Sequence, residues 1–507
     1  MKRFEYKSAV RAMALVPFML LFACCAFAEI KMGTPFSDGA VLQRDMAVPV
    51  WGTVSPAKGK VTVKFAGQEK TASVDAATGR WQVELAPMKA SKTGCTMTVS
   101  TSSEKVEICD VLVGEVWFAS GQSNMEYPIW GGHVRYRDMK SGFMADMTRL
   151  PFVRYIKSPK RWSAEPVAVI DTKWRKFDPK GLKTKYYNDG GLSAIAFYYA
   201  RELYLALDIP IGIVDVSYGG TNIDAWTPRS GYDGCDKRLK FVAEYPVKSN
   251  WSDKTDKLGA INRARQQPTV LWNGMVAAYA PMAMRGFIWY QGCNNANVGE
   301  DHLYSARLHA LHKGWCKEFA NPKLRHYLVQ LAPYRDNWLG ICMEQNRYVA
   351  EEKNAAIAVT ADVGNFWDIH PNDKEIVAKR LVLHALKRDY GFDIREDDSP
   401  LFRSVKFADG KAVLQFDHVK RWHVYAADRS RNPAFELAGD DGKWHSAKVV
   451  NFNGDYIDGS EIVLQSDKVT NPVRVRYMGR PRTSGTMYNE ASLPLGPFEF
   501  PHEIPAR

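Results

Sequence analysis

Four short polar clusters stand out in the middle of the 507-residue chain. Gly121-Gln122-Ser123-Asn124 offers a serine hydroxyl, and Asp368-Ile369-His370 an imidazole with a carboxylate two positions before it. Gly219-Gly220-Thr221-Asn222 and Gln291-Gly292-Cys293-Asn294-Asn295 add flexible backbone amides and side-chain amides. These are the parts that serine-dependent acyl transfer requires: an oxygen nucleophile, a base, a group to orient the base, and donors for the developing oxyanion.

Ser123 is the candidate nucleophile, carried on a strand-to-helix turn that exposes its hydroxyl. Met125 stands where the G-x-S-x-G elbow needs its second glycine, which argues against an ordinary α/β-hydrolase; a simple helix cap is the alternative role. His370 is the natural base. An extended Asp368-Ile369-His370 segment directs both polar side chains to one face, so Asp368 can hold the imidazole tautomer. Pro371 biases His370 towards an extended backbone and suits the start of a helix. A solvated loop histidine is the plainer reading. The backbone N–H groups of Ser123 and Gly220 and the side-chain amide of Asn295 are the candidate oxyanion donors, each worth roughly 3–4 kcal/mol when aimed at developing charge. Glycine pairs and asparagines also form ordinary turns. Gln122, Gln291 and Trp226 are candidate substrate contacts. Cys293 invites a thiol mechanism, but no base is placed beside it.

These clusters follow the ends of short apolar strands. Strands are predicted at Val116–Ala119, Ile211–Val216, Phe287–Tyr290, Tyr327–Leu331 and Ala356–Thr360, alternating with amphipathic helices. One helix starts near Ser193; the last starts near Asn372 and stops at Gly391. That alternation predicts an α/β fold on a parallel sheet, in which sites form beyond the carboxyl ends of the strands. On either side the texture changes to alternating strands such as Lys60–Phe65 and Arg80–Leu85, and again Ala412–Phe416 and Val473–Tyr477. The expected organisation is a leader over 1–28, a β-sandwich-like region over 29–107, the α/β domain over 108–395 and a β-rich region over 396–507.

The leader reading rests on Lys2, Arg3, Lys7 and Arg11, the apolar run from Ala12 to Ala28, and the closing Ala26-Phe27-Ala28. It predicts export to the periplasm or the cell exterior, with a lipoprotein box ending at Cys24 as the alternative, and no membrane span elsewhere. Removing those four cations and Glu5 lowers the formal charge from +12 to +9. The surplus is dispersed, so no nucleic-acid patch is expected. Of 8 cysteines and 11 histidines, none fall into a zinc pattern or an H-E-x-x-H motif, so no metal or other cofactor is expected.

The blocks also resemble a known family. Gly114-Glu115-Val116-Trp117-Phe118-Ala119-Ser120-Gly121-Gln122-Ser123-Asn124-Met125-Glu126 is similar to the nucleophile block of the sialate O-acetylesterases. Ser217 to Trp226 resembles their glycine block, Trp289-Tyr290-Gln291-Gly292 opens their asparagine block, and Asp368-Ile369-His370-Pro371 with Lys374 matches their acid–histidine block. Val41-Leu42-Gln43-Arg44, Val50-Trp51-Gly52, Tyr488-Asn489, Leu493-Pro494 and Pro497-Phe498 extend the likeness to both ends. The resemblance implies an SGNH-hydrolase (flavodoxin-like) domain with flanking β-regions. It also implies a metal-free serine esterase that removes O-acetyl groups from a sugar or glycan, with Ser123, Gly220, Asn295, Asp368 and His370 in the family roles. Sialate is the first candidate substrate, and acetylxylan or another polysaccharide the alternative. Trp130, Trp226 and Trp367 lie near these blocks, where a ring could stack on a pyranose or pack in the core. One departure stands out: Cys293-Asn294-Asn295 replaces the family's Glu-Ser-Asn, which removes a carboxylate. That loss is the best argument for a non-catalytic carbohydrate-binding protein on the same fold. A lipid esterase would need an apolar lid, which the sequence does not display.

Overall fold

A computed structural model describes residues 29–129, 148–177, 191–248, 264–297, 300–336, 338–424, 434–452, 456–480 and 487–501. The expected leader over 1–28 and Trp130 lie outside the described residues.

The organising element is β1 (Lys105–Gly121), whose character changes along its length. Its first residues alternate between exposed and covered positions and pair antiparallel with the strand Ser91–Ser100. From Val111 onwards every side chain is buried, as in a strand covered on both faces. There follow α1 (Ser123–Glu126), β2 (Val153–Lys157), β3 (Arg175–Lys176), α2 (Ala194–Leu207), β4 (Ile211–Ser217), β5 (Gly286–Tyr290), α3 (Cys293–Asn297), α4 (Tyr304–Glu318), β6 (Arg325–Val329), α5 (Leu339–Glu351), β7 (Ala355–Ala358) and α6 (Lys374–Arg388). The strands line up as β3-β2-β4-β1-β5-β6-β7, all parallel except the edge pair β3–β2. The predicted parallel strands are β1, β4, β5, β6 and β7; the ends of the last four are displaced by at most two residues, whereas β1 starts eleven residues before the predicted Val116. Because β1 sits between β4 and β5, the chain leaves it in opposite directions across the sheet. That reversal opens a crevice at the carboxyl ends of the three strands.

Successive side chains on β1 point to opposite faces. Trp117 meets Tyr199 of α2 at 5.3 Å between ring centroids, whereas Phe118 meets Trp315 of α4 at 6.1 Å. The two helices therefore cover opposite faces of the sheet. Ser193 caps α2 by accepting a hydrogen bond from the Ala196 N–H, and Asp373 caps α6 by accepting one from Ile376. Among the described residues no helix is long and apolar enough to cross a membrane.

Before β1, strands Glu29–Met32, Val48–Ser55 and Arg80–Leu85 form an antiparallel sheet, while Lys60–Phe65, Gln68–Ser73 and Ser91–Ser100 join β1 itself. The strand Val41–Gln43 lies parallel to β1 and delivers two residues to its one buried carboxylate. Glu115 accepts from Gln43 Nε2 at 3.1 Å, Arg44 Nε at 2.6 Å and Arg285 Nε and Nη2 at 3.0 Å each. A buried carboxylate needs such a set of cations and donors to be tolerated. After α6, short antiparallel sheets carry Phe402, Phe416, Phe435, Tyr477 and Phe498 inwards, and Phe402 stacks on Phe498 at 4.4 Å. Buried Asn489 ties this region to the chain before it, its Nδ2 donating to the Asp398 and His418 carbonyls.

Candidate active site

Each polar cluster leaves the carboxyl end of a strand. β1 ends in Gly121 and passes through Gln122 into α1, so Ser123 is the first helical residue and is half-buried. β4 runs into Tyr218-Gly219-Gly220, and β5 into Gln291-Gly292 and then α3. Past the end of β7, the loop carrying Asp368 and His370 leads into α6.

Ser123 Oγ lies 2.9 Å from His370 Nε2, a hydrogen bond made across the crevice. Asp368 Oδ1 is 3.5 Å from His370 Nδ1 and accepts the His370 backbone N–H at 2.9 Å. The segment is therefore a bend, not the extended stretch expected from its spacing. Asp368 meets the imidazole because its carboxylate closes a turn onto the residue two positions on. The Tyr127 ring packs on the imidazole at 4.4 Å, and the His370 side chain is 18% exposed, open enough for a substrate to reach.

The expected oxyanion donors lie just past the ends of β1, β4 and β5, Ser123 opening α1, Gly220 on a loop and Asn295 in α3. Gly219 is crowded against the nucleophile: a β-carbon there would stand 3.2 Å from that of Ser123. Gly220 has φ +65°, a conformation other residues rarely adopt, and its carbonyl accepts from Gln266 Nε2. Asn295 is fully buried, and its Oδ1 accepts from the Ile223 N–H at 3.1 Å and Gln291 Nε2 at 2.8 Å. That anchoring leaves Asn295 Nδ2 without a hydrogen-bond partner among the described residues. A buried amide donor with nothing to donate to is rare, and a ligand oxygen is one way to satisfy it.

Two of the three candidate substrate contacts, Trp226 and Gln291, need correcting. Trp226 is 0% exposed, donates Nε1–H to Thr221 Oγ1, and packs edge-on to Trp289, so it offers no face to a sugar. Gln291 is also fully buried: its Nε2 serves Gln122 Oε1, the Thr221 carbonyl and Asn295, and its Oε1 accepts from Tyr304. Gln122 Oε1 accepts in turn from the Gly292 and Asn294 amides. These two glutamines tie the three loops together; Gln291 keeps no polar atom for a ligand, whereas the hydrogen bonds of Gln122 among the described residues are all made by its Oε1. Trp367, by contrast, is 80% exposed beside the Asp368 turn.

Cys293 is buried, and loss of solvent pushes its thiol up to about 12, which removes it as a nucleophile. Four further residues shape the site. Glu126 accepts the Gly219 N–H at 2.5 Å and pairs with Lys160, fixing the glycine loop to α1. Arg265 stacks over Tyr218 at 4.9 Å and reaches within 2.9 Å of where a Gly220 β-carbon would stand, with no ion-pair partner among the described residues. Asn124 and Lys374 lie behind Ser123 and His370. No motif marks Arg265 in the sequence. Lys374 does carry a signal, since a cation in the first turn of a helix opposes the helix dipole. Among the described residues, two groups elsewhere have ligand-type side chains, His384 with Asp397 and Asp398, and Glu396 with Asp398 and His418. Their aspartates are already paired with Arg388 and Lys387.

Comparison with known proteins agrees with this geometry. The family described as carbohydrate esterase, sialic acid-specific acetylesterase, matches residues 113–375. The sialate O-acetylesterase of Homo sapiens is 27% identical over 454 residues, covering 84% of this chain and 83% of its own. That of Rattus norvegicus is 28% identical over 469 residues, covering 82% and 83%. A carbohydrate acetylesterase from Xanthomonas citri superposes with a TM-score of 0.78 at 30% identity, covering 93% of this chain and 99% of that one.

Proposed function

The chain belongs to the sialic acid-specific acetylesterase family of carbohydrate esterases, and from that premise we propose that Ser123, His370 and Asp368 are its catalytic triad. It is a carboxylic-ester hydrolase that acts on O-acetyl esters of carbohydrates. The observation that carries the residue assignment is the 2.9 Å contact between Ser123 Oγ and His370 Nε2, made between two loops distant in sequence.

In this reading His370 takes the Ser123 proton as the hydroxyl attacks the acetyl carbonyl. Asp368 holds the imidazole and stabilises its cation. The Ser123 and Gly220 N–H groups, which make no hydrogen bond among the described residues, and the unpartnered Asn295 amide receive the oxyanion. Collapse returns the proton to the departing sugar oxygen and leaves acetyl on Ser123. Water activated by His370 then releases acetate. Cys293 does not weaken this reading, because none of these steps uses a carboxylate at its position.

For the sugar, we favour one bearing a carboxylate, as sialate does. The Arg265 guanidinium, in no ion pair among the described residues, stands beside Gly220, where it can meet such a group, and Trp367 offers a ring for a pyranose face. We further read 29–107 and 396–507 as β-sandwich-like regions flanking an SGNH domain over 108–395, and 1–28 as a leader removed on export. N-terminal sequencing of secreted protein should begin near Glu29; a lipidated Cys24 would instead mark the lipoprotein route. The functional test is acetate release from O-acetylated sialate and acetylxylan by wild type, Ser123→Ala and Arg265→Ala. Ser123→Ala should release none from either, and Arg265→Ala should raise KM for the sialate alone. Turnover by Ser123→Ala would overturn the mechanism, and an equal effect of Arg265→Ala on both sugars would remove the carboxylate preference.

A further inference from the structure

We infer that Lys374 and Asn124 form one positioning unit, a clamp that holds the His370 turn against the helix carrying Ser123. The inference rests on the Ser123–His370 reading above and concerns what keeps those two side chains at contact distance.

Asn124 directly follows the nucleophile, and Ile369 directly precedes the base. Asn124 Nδ2 donates to the Ile369 carbonyl at 3.0 Å, so one side chain spans the crevice at its floor. The same amide is held from the other side: Lys374 Nζ donates to Asn124 Oδ1 at 2.6 Å, a charge-assisted bond. Lys374 opens α6, just beyond the His370 turn, so the turn is tied to α1 both directly and through the start of the next helix.

The surroundings of Lys374 are unusual for a cation. It is 2% exposed. Asn124 on α1 is its hydrogen-bond partner. The Tyr290 ring at the end of β5 lies 5.4 Å from Nζ and the Tyr127 ring 5.9 Å away. The remaining charged or titratable groups facing it are the Cys293 thiol of α3 and the Asp368 carboxylate of the turn. On its own helix, Asp373 is occupied as the cap of Ile376, and Glu375 pairs with Arg201 and Lys379. No carboxylate forms an ion pair with Lys374 among the described residues. Burial accordingly draws its ammonium down to about 7. A lysine at the start of a helix, buried and in no close ion pair among the described residues, is opposed by both desolvation and the helix dipole. Its bond to Asn124 is the interaction that accounts for its presence.

The unit moves no proton in the reaction, so its loss should act on kcat through misplacement of His370. Misplacing a catalytic group by an ångström typically costs on the order of 100-fold. Lys374→Met and Asn124→Leu should each lower kcat for p-nitrophenyl acetate by about 10- to 100-fold, with KM within roughly threefold. The double variant should be no worse than the worse single one, because either change opens the same clamp. Lys374→Gln, which keeps a donor but no charge, should recover part of the loss. Wild-type kcat should fall as pH rises past about 7, where Lys374 loses its charge, and the Met variant should lack that fall. Lys374→Met removes a buried charge, so urea unfolding should show a protein at least as stable as wild type, which separates positioning from folding. Unchanged kcat in a folded Lys374→Met, or losses that multiply in the double variant, would overturn the clamp. Turnover by Ser123→Ala, measured alongside, would instead remove the nucleophile assignment on which it stands.

Discussion

Replacing Asn295 by alanine separates catalysis from scaffolding at one residue. In the folded protein Asn295 does two things at once. Its Oδ1 accepts from Ile223 and Gln291, and its buried Nδ2 has no hydrogen-bond partner among the described residues. Removing the donor should lower kcat by about 100- to 1,000-fold, or roughly 3–4 kcal/mol of transition-state stabilisation. The scaffold cost is smaller. Gln291 Nε2 keeps Gln122 Oε1 at 3.2 Å and the Thr221 carbonyl at 3.0 Å, so only the buried Ile223 N–H is orphaned. One orphaned donor costs about 1–3 kcal/mol of stability, which should leave the protein folded. Asn295→Asp sharpens the test. It retains the acceptor for Ile223 and Gln291 but replaces the donor with an acceptor that repels an oxyanion, so activity should fall at least as far. Initial rates with p-nitrophenyl acetate measure the first effect and urea unfolding the second. If both variants kept kcat within tenfold of wild type, the oxyanion role of Asn295 would be wrong. If Asn295→Ala alone were impaired, its role would be structural.

Three further outcomes are expected. Ser123→Ala and His370→Ala should each cost several orders of magnitude in kcat, and the double variant no more than either; multiplicative losses would mean that the two do not act as a unit. Rates on p-nitrophenyl esters should fall steeply beyond two or three acyl carbons, since overfilling a packed pocket costs about 1–3 kcal/mol, whereas rates rising towards octanoate would indicate a lipid esterase. Lys374 titrates near 7 when folded, against about 10.4 in an unfolded chain, so the unfolded state binds the extra proton between those values. Wild-type stability to urea should therefore rise with pH across that window relative to Lys374→Met, by at most about 1.4 kcal/mol per unit; parallel curves would refute the buried titration.

The parallel sheet was legible because its strands are continuous apolar runs, and the site because polar clusters follow the ends of four of them. Spacing alone also brought His370 and Asp368 together, although by the wrong route. An extended segment and a side-chain-closed bend both place these two groups side by side, and only coordinates tell them apart. The glutamines and Trp226 show the opposite limit. Gln291 sits in a polar motif yet spends every polar atom on neighbouring loops, Gln122 commits its Oε1 in the same way, and a tryptophan near a site is as readily core as platform. Burial depends on what the rest of the chain brings into contact, which local pattern does not encode. The clamp was hidden for the same reason: Asn124 and Lys374 lie 250 positions apart and meet only in the folded crevice. At the two ends, Gln43-Arg44 and Tyr488-Asn489 stood out as motifs; the structure accounts for the first pair as partners of Glu115, for Asn489 as a buried tie to the Asp398 and His418 carbonyls, and for Tyr488 as a donor to Asp362.

β1 has a consequence for how the protein can be cut. The strand belongs to two sheets, with its antiparallel start among the N-terminal strands and its parallel end under the nucleophile. Excising the residues before Lys105 would leave half of a long strand with an open edge, an invitation to intermolecular pairing. It would also strip Glu115 of Gln43 and Arg44, leaving a buried carboxylate with Arg285 alone. The N-terminal strands are thus no detachable appendage. They should melt with the catalytic sheet in one transition, and transplanting the esterase onto another scaffold requires carrying them along.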